Sequence, residues 1–329
     1  MRKYITPFMA AAVIFSAALY AAVSFGVMAP SKSAEAAVPA NQTKTGKLEI
    51  IATIFPQYDF ARAIAGDRAN VTMLVRPGAE IHSFEPTPRD IISIRNSGVF
   101  IYIGGESDAW VEEILESVDT SGKKIVRLMD YVNTVDEEVV EGMQPEDEEE
   151  EEEEAKDEHI WTSPKNAILL IGAIAEKLSE ADPANADYYK ANAKSYIAGI
   201  SEVDGEFKAL VNGAKRKVIV LGERFPFRYF ADEYGLDYRA AFPGCSTESD
   251  ASAATMAYLV RMVRDEKIPV VYTLELSNGN IARAIAEQTG AEVLTLHSCH
   301  NLTKADFESG ETYLSLMKKN VPVLRKGLY

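Results

Sequence analysis

The chain alternates strand-like and helix-like segments twice, on either side of one uninterrupted helical stretch. The first series places strands at Lys47–Ile54, Val71–Val75, Val99–Ile103 and Lys124–Leu128. Helical periods lie between them, opening at Pro56 and running over Pro88–Asn96 and Asp108–Ser117. The second series has strands at Lys217–Leu221, Tyr238–Phe242, Val270–Leu274 and Glu292–Leu296. Its helices are Phe227–Tyr234, Ser252–Asp265 and Ile281–Gln288, and a last helix, Ser309–Lys319, precedes a tail to Tyr329. Such alternation predicts an α/β chain of two lobes, each a mainly parallel sheet flanked by helices.

Between the lobes, Ser163-Pro164 caps a helix over Lys165–Ser179, and Asp182-Pro183 opens a second over Ala184 to about Leu210. At 1.5 Å per residue that second helix spans about 40 Å, long enough to act as a rigid strut. The expected organisation is a leader (1–36), a polar tether (37–46), an N-terminal lobe (47–183), the linking helix (184–211) and a C-terminal lobe (212–329).

Charge excludes one broad class of function. The net charge of −16 is concentrated in Asp136–Glu158, which holds fifteen acidic residues against one lysine, or −14. The rest of the chain is close to neutral, and no basic surface for nucleic acid is expected. Seven consecutive glutamates, Glu148–Glu154, repel one another and bury nothing, so this tract reads as a disordered acidic loop. It is a solvated insert or a weak collector of divalent cations. At the start of the chain, Arg2 and Lys3 precede an apolar run from Pro7 to Pro30, and Ala34-Glu35-Ala36 offers a cleavage site. The expectation is export, with this segment either removed or kept as a membrane anchor.

Only four histidines exist, and their places point to metal. His82 lies in PGAEIHSFEPTPRD (Pro77–Asp90), a proline-stiffened loop at the carboxyl end of a strand. His159 ends the acidic tract, and His297 and His300 follow the last strand. Glu223 follows Lys217–Leu221. Open α/β sheets bind ligands outside the carboxyl ends of their strands, so two facing lobes would bring these groups to one cleft. Three imidazoles and a carboxylate suit Zn²⁺ at about 2.0–2.2 Å. The expected ligands are His82, His159, Glu223 and His297, with His300 the weaker candidate for the last position. Cys245 and Cys299 are the only cysteines, and in an exported chain they are expected to form a disulfide. Thiolate ligation by Cys299 is the alternative.

Three segments carry a resemblance: HSFEPTPRD at His82–Asp90, EHIWTSPKNA at Glu158–Ala167 and GERFPFRYFADEYGL at Gly222–Leu236. Together they resemble the metal-binding lipoprotein family, the zinc and manganese substrate-binding proteins of ABC importers, over about Leu48 to Tyr329. The resemblance implies two α/β lobes joined by one long helix, and it places the first two histidine ligands on His82 and His159. The third ligand would fall on Arg224, which stays protonated and cannot ligate. Either Glu223 supplies the carboxylate after a one-residue shift, or the site lacks that donor. The place of the fourth ligand falls on His297. A lipoprotein needs a cysteine near its leader, and this chain has none there.

The function implied is that of a non-enzymatic, extracytoplasmic receptor, a monomer that captures Zn²⁺ and passes it to an ABC transporter permease. The same receptor tuned to Mn²⁺ or Fe²⁺ is the nearest alternative. A metal-dependent hydrolase, with Glu85 or Glu275 as its base, and a surface adhesin or zinc buffer are the others.

Overall fold

The computed structural model describes residues 46–81, 84–143, 155–244, 246 and 251–329. The expected leader and nearly all of the tether, together with His82, Cys245 and the centre of the acidic tract at 144–154, lie outside the described residues. Among the described residues no helix is long and apolar enough to cross a membrane.

The first lobe runs β1 (Leu48–Ala52), α1 (Phe55–Ala65), β2 (Ala69–Met73), α2 (Pro88–Asn96), β3 (Val99–Tyr102), α3 (Trp110–Ser117) and β4 (Lys124–Arg127). Its four strands are parallel, in the order β2-β1-β3-β4. Then come α4 (Pro164–Ala181) and the long α5 (Ala186–Asn212). The second lobe runs β5 (Val218–Arg224), α6 (Arg228–Tyr234), β6 (Asp237–Phe242), α7 (Ala253–Asp265), β7 (Val270–Thr273), α8 (Asn280–Thr289) and β8 (Glu292–Thr295). It is followed by α9 (Lys304–Glu308) and α10 (Tyr313–Leu328). Its parallel sheet has the same order, β6-β5-β7-β8.

Local chemistry explains the boundaries. Pro88 opens α2 behind Thr87, whose hydroxyl accepts from Asp90 N while the Asp90 carboxylate accepts from Thr87 N at 2.9 Å. That reciprocal cap satisfies two otherwise orphaned donors. Every residue of β3 (VFIY) and of β7 (VVYT) is buried, as parallel strands covered on both faces require. In α5 the residues Tyr189, Ala193, Ile200, Val203, Phe207 and Leu210 are buried at helical spacing. They belong to one contiguous apolar core that draws on both sheets, α1, α4 and α10. Each large side chain there contributes about 1.5–3 kcal/mol of burial. A polar knot braces the same region. Asp59 of α1, fully buried, accepts from Tyr196 Oη of α5 at 2.5 Å and from Tyr313 N of α10 at 2.9 Å.

Three expectations are corrected. The last helix does not stop at Lys319. It continues to Leu328 with Pro322 inside it. The lost backbone donor is outweighed by burial of Val321, Leu324 and Leu328. The acidic tract is folded at both of its ends. Asp136 and Lys156 form an antiparallel bridge, Glu137 N donates to Ala155 O at 2.9 Å, and Asp157 N donates to Val135 O at 3.0 Å. Cys299 is a free thiol, fully buried, so it does not form the expected disulfide. Burial, with the Glu275 and Asp59 carboxylates nearby, pushes that thiol well above its usual range.

Candidate metal centre

The carboxyl edges of both sheets face a cleft of about 450 Å³ whose lining includes Ile81, His159, Glu223, Arg224, Glu275 and His300. In each sheet the chain order reverses between the two central strands, β1 and β3 in one and β5 and β7 in the other. That is the place where open α/β sheets leave a crevice.

His159 enters from the strap that precedes α4. Its backbone N donates to Asp157 Oδ1 at 2.8 Å, and its Nδ1 faces the same oxygen at 3.0 Å. That contact assigns the proton to Nδ1 and turns the Nε2 lone pair outward, the arrangement by which a carboxylate orients a metal-binding imidazole. Both groups are buried. Burial alone would lower the His159 pKa, but the carboxylates of Asp157 and, less strongly, Glu158 and Glu137 together more than offset it, and the pKa is raised. A turn over Ile160–Thr162 then leads into α4, whose N-cap Ser163 accepts from Asn166 N at 3.3 Å. Within that turn Trp161 is fully buried, and its indole N–H donates across to Ser298 O at 2.9 Å.

Glu158 is buried as well. Its carboxylate accepts from Ser107 N at 3.0 Å and from Ser107 Oγ. Nearby Asp108 accepts from Ile103 N at 2.7 Å, yet burial pushes its carboxyl up to about 7, with Glu158 adding to the rise.

The last strand delivers two histidines to different surroundings. Cys299 adopts a left-handed backbone, φ 60°, which turns the chain between them. The His300 ring lies 5.1 Å from that of His159, nearly perpendicular, and 4.9 Å from Trp161. His297 turns back instead. Its Nδ1 accepts from Cys299 N at 2.9 Å and lies 3.6 Å from Glu275, while Asn320 holds its backbone on both sides. Among the described residues, one group of three donors lies within 4.8 Å of one another: Glu158, His159 and His300. Donors on one tetrahedral zinc stand about 3.4 Å apart, so a small inward movement lets them share an ion.

The structure therefore brings together His159 and His300, not His159 and His297. Glu223 does not join the group either. It closes β5, lines the same cavity and accepts from Ser277 Oγ and from Thr273 Oγ1 at 3.3 Å. Its neighbour Arg224 pairs with Glu80 at 3.5 Å. Glu275 accepts from Ser298 N at 2.9 Å and Ser298 Oγ at 2.7 Å, so it shapes the histidine loop. Asp157 and Glu158 escaped sequence reasoning because they close a long acidic run. The one available signal was a carboxylate two residues before a histidine.

The fold and this cleft define an α/β protein of two lobes with a candidate metal site between them. A family model described as "Zinc-uptake complex component A periplasmic" matches residues 50–327, and the chain belongs to that family. It is 32% identical to the zinc-binding lipoprotein AdcA of Streptococcus pneumoniae over 282 residues, 85% of this chain and 56% of that protein. The chain thus spans about half the length of the AdcA relatives it matches. It is 30% identical to the high-affinity zinc uptake system protein ZnuA of Bacillus subtilis over 291 residues, 87% of this chain and 89% of that one. Among solved structures, the Zn(II)-bound ZnuA-like domain of Streptococcus pneumoniae AdcA superposes with a TM-score of 0.72 at 30% identity, covering 86% of this chain and 99% of that one.

Proposed function

We propose that this chain is an extracytoplasmic substrate-binding protein that captures Zn²⁺ between its lobes and hands it to the permease of an ABC importer. The observation that carries the reading is the Asp157–His159 pair, which presents an oriented, buried imidazole beside His300. Imidazole donors with few carboxylates favour zinc over manganese. The names of the two relatives, a zinc-binding lipoprotein and a zinc uptake protein, agree with it. His82, which lies outside the described residues, is a further donor proposed from the sequence. Capture needs a closed coordination sphere and no general base. That favours a receptor over a hydrolase, because Glu275 is occupied by Ser298 and Glu85 is exposed.

Metal analysis of the purified protein tests this reading. Wild type should hold about one zinc per chain in preference to manganese or iron. His82→Ala and His159→Ala should each lose it, and deletion of residues 146–154 should keep it. Zinc that survives both histidine changes but leaves with the deletion would assign binding to the acidic tract and sink the cleft reading.

A further inference from the structure

We infer that Glu158 is a direct ligand of the captured ion, supplying the carboxylate donor that the Glu223–Arg224 segment does not. The inference rests on the metal-receptor reading and names a donor that the reading leaves open.

Space has been made for this carboxylate. Gly105, in the loop after β3, lies against it, and a Cβ there would collide with Glu158 Cβ and Oε2. A buried glutamate therefore stands where only a glycine leaves room for it. Ser107 of the same loop then fixes its orientation, the backbone N–H on Oε2 and the hydroxyl on Oε1. Each carboxylate oxygen has two acceptor sites, so an oxygen that takes a hydrogen bond can also bind an ion. The donor atoms of His159 and His300 lie within 4.8 Å of that carboxylate.

Energetics point the same way. Burying a carboxylate is costly unless charge or hydrogen bonds compensate. Asp157 stands immediately beside Glu158 and is equally buried, at 1% and 2% exposure. Two adjacent buried carboxylates against imidazoles make a place where a divalent cation offsets the charge. On the other side of the cleft the carboxylate of Glu223 is engaged by Ser277 and Thr273, and Arg224 brings positive charge. The donors thus divide unequally. Glu158 and His159 come from the strap before α4, on the N-terminal side, and His300 alone comes from the C-terminal lobe. Separating the lobes would break one of these three bonds and leave the ion with the strap.

Zinc affinity by competition with a chromophoric chelator tests the assignment in wild type, Glu158→Gln and Ser107→Ala. Glutamine keeps the shape and loses the anionic donor, so the expected loss is at least about 100-fold. Ser107→Ala should lose about 10-fold, the effect of an orienting partner. A crystal structure of the zinc-loaded wild type should place a Glu158 oxygen about 2.0–2.2 Å from the ion, and it decides the matter even where Glu158→Gln fails to fold. Zinc bound with Glu158 beyond about 3 Å, or Glu158→Gln no weaker than Ser107→Ala, overturns the inference and leaves the receptor standing. A wild type that binds no zinc overturns both.

Discussion

The two sheets share one strand order and use their carboxyl edges differently. On the N-terminal side, the strap residues are held by short local contacts: Asp157 on the His159 ring, and Ser107 on Glu158. These donors are oriented before any ion arrives. On the C-terminal side, the histidine loop is held by Glu275 and Asn320 of its own lobe and, in addition, by contacts that reach across the cleft. Asn301 Nδ2 donates to Arg76 O at 3.0 Å and Ala79 O at 2.9 Å, Gly78 N donates to Leu302 O at 2.9 Å, and Trp161 reaches Ser298 O. The metal donors of one edge are oriented by contacts on their own side, Asp157 and Ser107, whereas the loop of the other edge is also positioned by the opposite lobe. The same topology thus yields a fixed jaw and a docked jaw.

Among changes outside the proposed donors, replacing the group that orients the fixed jaw should have the largest effect. Asp157→Asn leaves an amide beside His159 Nδ1, which no longer secures the tautomer, and zinc affinity should fall about 10–100-fold. A chelator competition titration checks it, and an unchanged affinity would mean that the jaw is not held by this carboxylate. Asn301→Ala tests the docked jaw. It removes two part-buried cross-lobe hydrogen bonds, at a cost of about 1–3 kcal/mol in all. Urea unfolding should show that loss, with zinc affinity changed less than by Asp157→Asn.

The smallest effect sharpens the comparison through pH. Asp108, beside the fixed jaw, titrates at about 7 in the folded chain against an ordinary 3.8. A folded value above the unfolded one gives stability that is complete below pH 4 and is lost as pH rises through 7. Asp108→Asn should therefore be more stable than wild type at pH 8, by about 1 kcal/mol once weaker hydrogen bonds are counted, and no more stable near pH 4. Thermal melts at the two pH values test the sign. Saturating zinc should shrink the gap, because the ion offsets the same buried negative charge.

The sequence shows the architecture plainly for a physical reason. Parallel strands covered on both faces are near-continuous apolar runs, and VFIY and VVYT are unmistakable. Helix ends are less legible where tertiary burial overrides a local rule, as Pro322 in α10 shows. The site was half legible. His159 could be singled out because histidines are scarce, but the choice between His297 and His300 turned on a left-handed residue, Cys299, that no spacing reveals. Glu158 was hidden in another way. Fifteen acidic residues look alike in sequence, and only burial sets Asp157 and Glu158 apart from the others that the structure describes. Likewise β5 reaches Arg224, so Glu223 closes the strand and does not sit in the loop beyond it.

Trp161 stands 5.4 Å from the ring of His159 and 4.9 Å from that of His300, wholly shielded from water. An indole so placed senses the charge on both imidazoles through its π face. Its ultraviolet emission should therefore change when a proton or an ion arrives between them. The chain carries a built-in optical gauge of its own occupancy, readable without a dye and fast enough to follow loading and release in a stopped-flow instrument.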